Sequence, residues 1–296
     1  MLQPPGFNQH SVSTSLGTMV YYKAGTADWQ VQNAPNQPSL VFLHGFGGGS
    51  SAYEWSKVYP AFAANYHVIA PDLLGWGRSE HLTRPYRVDD YLISIAEFLQ
   101  KVCQPPAIVV ASSLTAALTV RVAVAYPNLF RALVLMAPAG LSDFGRPYNS
   151  VFSQLVSLPV LDRVIYSTGI ANSIGIRSFL EQRQFAHANR VSQEMVDAYL
   201  SSAQQSNAEY SALSFVRGDL CFDLAEYMPH LTTPTAILWG KKAQFTGYQL
   251  GEQLAELNRS AIKALYLIDD VGLTPQLELP AVTIGLIRKF LESQGM

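Results

Sequence analysis

Residues 107–118 read AIVVASSLTAAL: a run of β-branched side chains gives way to an alanine-rich segment, with two serines at the junction. β-Branched residues fit a pleated, buried strand, whereas alanine and leucine favour helix. The stretch therefore predicts a strand over 107–111, a sharp turn at Ser112-Ser113, and a helix running to about Tyr126. A serine on such a turn has its oxygen exposed above the end of the strand. The helix N-terminus beneath it favours developing negative charge. Serine at a helix start is also an ordinary cap, so the flanking sequence decides between the two roles.

Working outward, "SVSTSL", a turn at Gly17-Thr18 and "MVYYKAG" predict a β-hairpin. "SLVFLHG" is a short buried strand running into the glycine-rich loop 45–49. "AYEWSKVYPAFAANY" has helical spacing, and "HVIAPD" is the next strand. In "RVDDYLISIAEFLQKV", Val88, Leu92, Ile95 and Leu99 share a helical face, with Asp89 as the expected cap. Residues 132–136 form a further strand. Strands that are apolar throughout and alternate with helices predict a parallel sheet covered on both faces. The alternation stops at 141. From there to 230 the sequence is helical, as in "SVFSQLVSLPVLDRVIY" and "SQEMVDAYLSSAQQ", and it resumes with "TPTAILWG", a helix near 247–257, "AIKALYLIDD" and a final helix in "PAVTIGLIRKFLESQ". The expected organisation is one α/β core, 1–140 and 231–296, with a helical cap or lid inserted at 141–230.

Composition narrows the function classes. The 296 residues are 49% hydrophobic and only 14% charged, which predicts a large core and a rather apolar surface or pocket. A net charge of −2 gives no electrostatic footprint for nucleic acid. Cys103 and Cys221 form no CxxC pair and read as buried, reduced thiols. No histidine stands at metal-ligand spacing with another, so neither metal nor cofactor is expected. "GFGGGS" lacks the G-K-[ST] ending of a phosphate-binding loop. The N-terminal segment lacks the pattern of a signal peptide, and no apolar run reaches the ~18 residues of a membrane span. A soluble, cytoplasmic protein is the expectation.

The motifs around the opening stretch resemble those of the α/β-hydrolase superfamily. "FLHGFGG" (42–48) is similar to its oxyanion loop, and "APDLLGWGRS" (70–79) to its D-x-x-G-x-G-x-S stretch. "VVASSLT" occupies the place of the nucleophile elbow. "PTAILWG" and "VGLTPQLELP" match the two C-terminal blocks. The resemblance implies an α/β-hydrolase fold, and it maps G-x-S-x-G onto Ala111-Ser112-Ser113-Leu114-Thr115. Ser113 then holds the nucleophile position; centring on Ser112 would put Val110 and Leu114 where small residues belong. Thr115 departs from the usual glycine. The resemblance further implies an oxyanion hole from the backbone N–H groups of Phe46 and Leu114. His44, Gly45 and Ser112 would line the ligand site beside it, with His44 hydrogen-bonded within its own loop.

Two members of the implied triad are missing. The acid of the W-G-x-x-D pattern is replaced by Ala243 in "WGKKAQF", and the histidine of G-H-x-P-x-x-E-x-P by Leu273 in "GLTPQLELP". No histidine follows His230. Asp143 lies where some relatives carry their acid, Asp269 and Asp270 read as solvated loop charges, and His187 and His230 belong to or border the insertion. Serine is a weak nucleophile without an oriented base. The sequence therefore predicts a non-catalytic or very weak member that binds a small apolar molecule in a lidded pocket, or a protein partner. The alternative is an esterase-like hydrolase or a lyase using Ser113 with an unconventional base, such as Asp143, Asp270 or a lid histidine.

Overall fold

The computed structural model describes residues 3–25, 37–148 and 166–296. Eight strands form one sheet: β1 (Phe7–Ser13), β2 (Thr18–Ala24), β3 (Ser39–Leu43), β4 (His67–Pro71), β5 (Ala107–Ser112), β6 (Phe130–Met136), β7 (Thr235–Gly240) and β8 (Ile262–Ile268). Their order across the sheet is β1-β2-β4-β3-β5-β6-β7-β8. The β1–β2 and β2–β4 pairs are antiparallel and all the others parallel. This is the α/β-hydrolase fold expected from the motifs.

Every residue of β3 and β5 is buried. Along β5, Ala107, Val109 and Ala111 enter one hydrophobic core and Ile108 and Val110 the other, because side chains alternate across a strand. The first core receives Tyr91, Ile95 and Leu99 from α1 (Val88–Val102) and Ala117 and Val120 from α2 (Ser113–Ala125). The second receives Trp55 and Phe62, together with Ile287, Phe290 and Leu291 of the last helix. A sheet covered on both faces explains why its central strands carry no polar alternation.

Local chemistry adjusts the expected elements in two places. Residues 52–66 make two separate turns of 3-10 helix, Ala52–Trp55 and Tyr59–Phe62, in place of one amphipathic helix. Pro60 has no N–H to continue a helix and disfavours the helical conformation at Tyr59. At the start of α1 the carboxylate that matters is Asp90, not Asp89. It accepts from the Arg87 backbone N–H at 2.8 Å and from both guanidinium nitrogens of Arg84 at 2.8 Å.

Between β6 and β7 the described residues are helical: α3 (Ser173–Phe179), α4 (Gln193–Ala203) and α5 (Ala208–Arg217). An isolated bridge between Leu141 and Phe222 ties the root of this segment. The helix expected over 150–166 lies, apart from Tyr166, outside the described residues. The chain then completes the sheet with α6 (Tyr248–Leu257), α7 (Pro275–Glu278) and α8 (Pro280–Ser293). Cys103 is buried but Cys221 only half-buried, and both thiols are free. No helix among the described residues is long and apolar enough to cross a membrane.

Two glycines make opposite predictions. Gly77 sits at φ +58° in the loop after β4, and a Cβ there would lie 2.2 Å from Asp72 Cγ. Gly285 is exposed within α8, with nothing within 4 Å of an added Cβ. Gly77→Ala is expected to lower unfolding free energy by about 2–4 kcal/mol. Gly285→Ala should raise it by about 0.5–1 kcal/mol through helix propensity and reduced unfolded-state entropy. Urea midpoints at unchanged slope check both, and equal effects would contradict the geometry.

Candidate functional site

The strand-to-helix turn is sharp. Ser112 ends β5 in extended conformation (φ −117°, ψ 141°), and Ser113 switches to φ +56°. That left-handed conformation is rare for a residue with a Cβ. Ser113 is half-buried, and its hydroxyl bonds to no side chain or backbone group among the described residues. The N–H groups of Leu114 and Phe46 likewise donate to no acceptor among the described residues. The Phe46 ring is fixed edge-on against Trp76 and Tyr91, with centroids 5.0 and 4.8 Å away. Thr115, where a glycine was expected, is fully buried with its hydroxyl unpartnered.

No imidazole reaches Ser113. His44, in the loop after β3, is fully buried, and both of its ring nitrogens are engaged. Nε2 accepts from the Leu73 N–H at 3.0 Å, so Nδ1 carries the proton and donates to Gly45 O at 2.7 Å. Burial pulls its pKa down to about 4 and keeps the ring neutral. His187 pairs with Asp270 at 2.6 Å on the surface. His81 contacts Gly77 O, and His230 is exposed.

The two positions where the motifs would carry the acid and the base, Ala243 and Leu273, hold neither. Leu273 is 7% exposed and belongs to the first core, and its N–H donates to Gln184 O at 2.7 Å. Ala243 is half-buried in a turn closed by its N–H onto Gly240 O. Asp143 is buried, with its carboxylate occupied by the N–H groups of Gly140, Leu141 and Leu224 at 2.9–3.1 Å. It closes a loop and bonds to no side chain of the turn. Asp270 is exposed among Lys242, His187 and Arg190, and the Lys242 ammonium followed by the His187 contact holds its carboxyl well below the usual range. Asp269 pairs with Lys241 on the same surface.

A cavity of about 910 Å³ opens over the C-terminal ends of the strands. Its walls come from Gly47-Gly48 after β3, residues 141–148 after β6, the helical segment at Ile170, Phe179 and Phe215, and residues 245–253 after β7. In sheet order β5 lies between β3 and β6, so the turn sits beneath the span of these loops. Ser113, Phe46 and Leu114 do not line the cavity, and neither do His44, Gly45 or Ser112, which are buried. The pocket expected directly above Ser113 is thus displaced towards β7. Among the described residues no group of three or more His, Cys, Asp or Glu side chains stands ready to hold a metal ion.

A model of the alpha/beta hydrolase family matches residues 40–285. The chain belongs to this family. It is 21% identical to Epoxide hydrolase 4 of Mus musculus, the match covering 95% of this chain and 81% of that one. It is 25% identical to the uncharacterized hydrolase YugF of Bacillus subtilis (strain 168), over 84% and 86% of the two chains. Among solved structures it resembles the CarC enzyme, described as a serine hydrolase involved in carbazole degradation. The TM-score is 0.75 at 20% identity, covering 97% of this chain and 99% of that one.

Two side chains around the turn of this alpha/beta hydrolase family member, Glu54 and Gln276, escape motif reading. Glu54 is 1% exposed, with no cation beside it; Gly45 N–H donates to it at 2.8 Å and Tyr199 O–H at 3.1 Å. Gly45 adjoins both Glu54 and the nucleophile position, since a Cβ there would lie 3.5 Å from Glu54 Oε2 and 3.4 Å from Ser113 Cβ. Gln276 is fully buried and donates to Ser112 Oγ at 3.3 Å. The signal for Glu54 was a lone charge between Tyr53 and Trp55; Gln276 had no comparable signal. Asp72, also fully buried, accepts from the N–H groups of Ala52 and Arg78 and from Tyr22 O–H. Burial outweighs these bonds and pushes its pKa up to about 6, and it raises that of Glu54 as well.

A raised carboxyl pKa means that the folded chain holds a proton the unfolded chain has released. Stability from Asp72 is therefore fully present below about pH 3.8 and is lost as pH rises through about 6. Asp72→Asn should flatten the fall of the urea midpoint between pH 4.5 and 6.5, whatever its effect on the absolute value. An unchanged slope would mean that Asp72 is ionised in the folded protein at acid pH.

Proposed function

We propose that this protein is a member of the family that does not run Ser-His-acid hydrolysis and that uses its cavity to bind a small, largely apolar molecule. The observation that carries the reading is the isolation of Ser113: its hydroxyl hydrogen-bonds to no imidazole or carboxylate among the described residues, and Leu273 stands at the motif's place for the base with a buried alkyl chain. In this reading the 141–230 segment is a cap over the core, and Phe46 and Leu114 offer N–H donors of an oxyanion hole with no activated nucleophile to serve. Losing the base in a serine hydrolase lowers turnover on the order of 10⁶-fold, about as much as losing the whole triad. The oxyanion hole and binding alone leave about 10³–10⁴ over water.

The walls support binding over catalysis. Ile170, Phe179, Phe215 and Phe245 give the cavity an apolar lining, and its volume falls in the range of sites for small ligands. Of the groups that would serve as an unconventional base, Asp143 has its carboxylate filled by backbone N–H groups, and Asp270 and His187 are paired on the surface.

A fluorophosphonate probe and p-nitrophenyl acetate test the reading. Wild type and Ser113→Ala should be labelled and should turn over ester equally slowly; labelling or turnover that vanishes with Ser113→Ala would make the protein a working serine hydrolase. The double replacement Ala243→Asp/Leu273→His should raise Ser113-dependent esterase activity by at least 10²-fold. Failure in a folded double variant would show that Thr115 or the cap has reshaped the turn as well.

A further inference from the structure

The charges on the cavity wall go beyond an apolar ligand. Among the described residues, three ionisable side chains apart from Tyr148 line it: Arg146, Arg183 and Asp143. Asp143 presents no free carboxylate, because both of its oxygens accept backbone N–H groups. The guanidinium groups of Arg146 and Arg183 make no hydrogen bond or ion pair among the described residues. Four other arginines are ion-paired: Arg84 on Asp90, Arg177 on Glu181, Arg190 on Asp270 and Glu278, Arg217 on Asp219. Two unmatched, solvent-exposed guanidinium groups therefore stand in the wall of a cavity that is apolar at Ile170, Phe179, Phe215 and Phe245 and polar at Thr246, Gln249 and Gln253. They reach it from different parts of the insertion, Arg146 from the loop after β6 and Arg183 from the turn following α3.

A guanidinium presents a planar fork of N–H donors that matches a carboxylate, often through two parallel bonds. The apolar walls supply the remaining free energy through burial. We infer that the ligand of this cavity is an amphiphilic carboxylate, its hydrocarbon body against Ile170, Phe179, Phe215 and Phe245 and its anionic end held by Arg146 and Arg183. This rests on the reading that the cavity binds an apolar molecule, and it adds the class of head group. A cationic amphiphile would meet two like charges and no available counter-ion, so the site discriminates by charge sign as well as by hydrophobicity.

The test pairs ligands of one body and two heads: decanoate against 1-decanol, and biphenyl-4-carboxylate against biphenyl-4-methanol. Binding is measured by calorimetry on the full chain, with melting temperature as a second readout. At least one carboxylate should bind about tenfold or more tightly than its alcohol, and added salt should narrow the gap. In Arg146→Gln/Arg183→Gln the carboxylate should fall to the level of the alcohol while the alcohol's affinity holds. A melting temperature unchanged without ligand shows that the variant is folded, and the single variants Arg146→Gln and Arg183→Gln, each expected to lose part of the preference, serve if the double one is not. If alcohols bind as well as carboxylates, the inference about the head group falls and the apolar pocket stands. Binding of none of the four overturns both.

Discussion

The turn from β5 into α2 is the constraint on which the rest of the structure depends. A parallel strand buried on both faces has no room to wander after its last residue, and its chain must leave upward and return as a helix packed against the sheet. Here that requires a left-handed residue with a side chain, Ser113 at φ +56°. A conformation of this kind costs on the order of 1–3 kcal/mol and persists only where its surroundings over-determine it. They do: the strand before it is fully buried, and Leu114, Ala117 and Leu118 after it are buried in the first core. The turn and the loop after β3 leave the N–H groups of Leu114 and Phe46 without acceptors among the described residues. Those groups belong to the fold and not to any catalytic side chain, so they survive whatever happens to the residues opposite.

What happens opposite is a closing of the structure onto itself. The loop after β8, where the family motif would carry its histidine, is tied to the insertion at several points. Leu273 N–H bonds Gln184 O, and the Glu278 carboxylate accepts from Gly272 and Ala186 N–H and pairs with Arg190. Asp270 adds His187, Arg190 and Lys242. The exposed pairs contribute little individually, within about 1 kcal/mol. Glu278 differs because its side chain is fully buried, so loss of Arg190 would leave it without its cation. These contacts hold residues 184–190 against the loop after β8, where the alkyl group of Leu273 enters the first core.

Much of this was legible in the sequence, for physical reasons that differ from element to element. The central strands could be read because burial on both faces forces uninterrupted apolar runs, as in 39–43 and 107–112. The turn at Ser113 could be read because strand-forming and helix-forming residues meet there without a spacer. The loop environment of His44 followed from the resemblance, since its two ring bonds lie within a few residues of motif glycines and Leu73. Residues 52–66 misled because helical spacing does not register that Pro60 lacks a donor. The displacement of the cavity from Ser113 was beyond sequence reading, since it depends on how the insertion sits over the loops after β3, β6 and β7. Glu54 and Gln276 were missed because their partners, Gly45, Tyr199 and Ser112, are up to 164 residues away.

Buried polar groups gather around the turn in a pattern that bears on what the site can become. Thr115 Oγ1, Thr274 Oγ1 and Gln276 Oε1 are buried without partners, and Glu54 is buried without a cation. Unpaired buried groups each cost about 1–3 kcal/mol, and a well-packed apolar replacement would remove that cost. Their clustering beside Ser112 and Ser113 therefore marks a region where local stability has not been optimised. Strain and orphaned donors concentrate at sites built to meet something else. The cavity walls above, by contrast, are mostly apolar and lack such orphans among the described residues, Arg146 and Arg183 excepted. Polar dissatisfaction sits under the turn and unmatched charge sits in the wall, so the two ends of the site call for different chemistry. A ligand that satisfies the wall has no need to reach the serine.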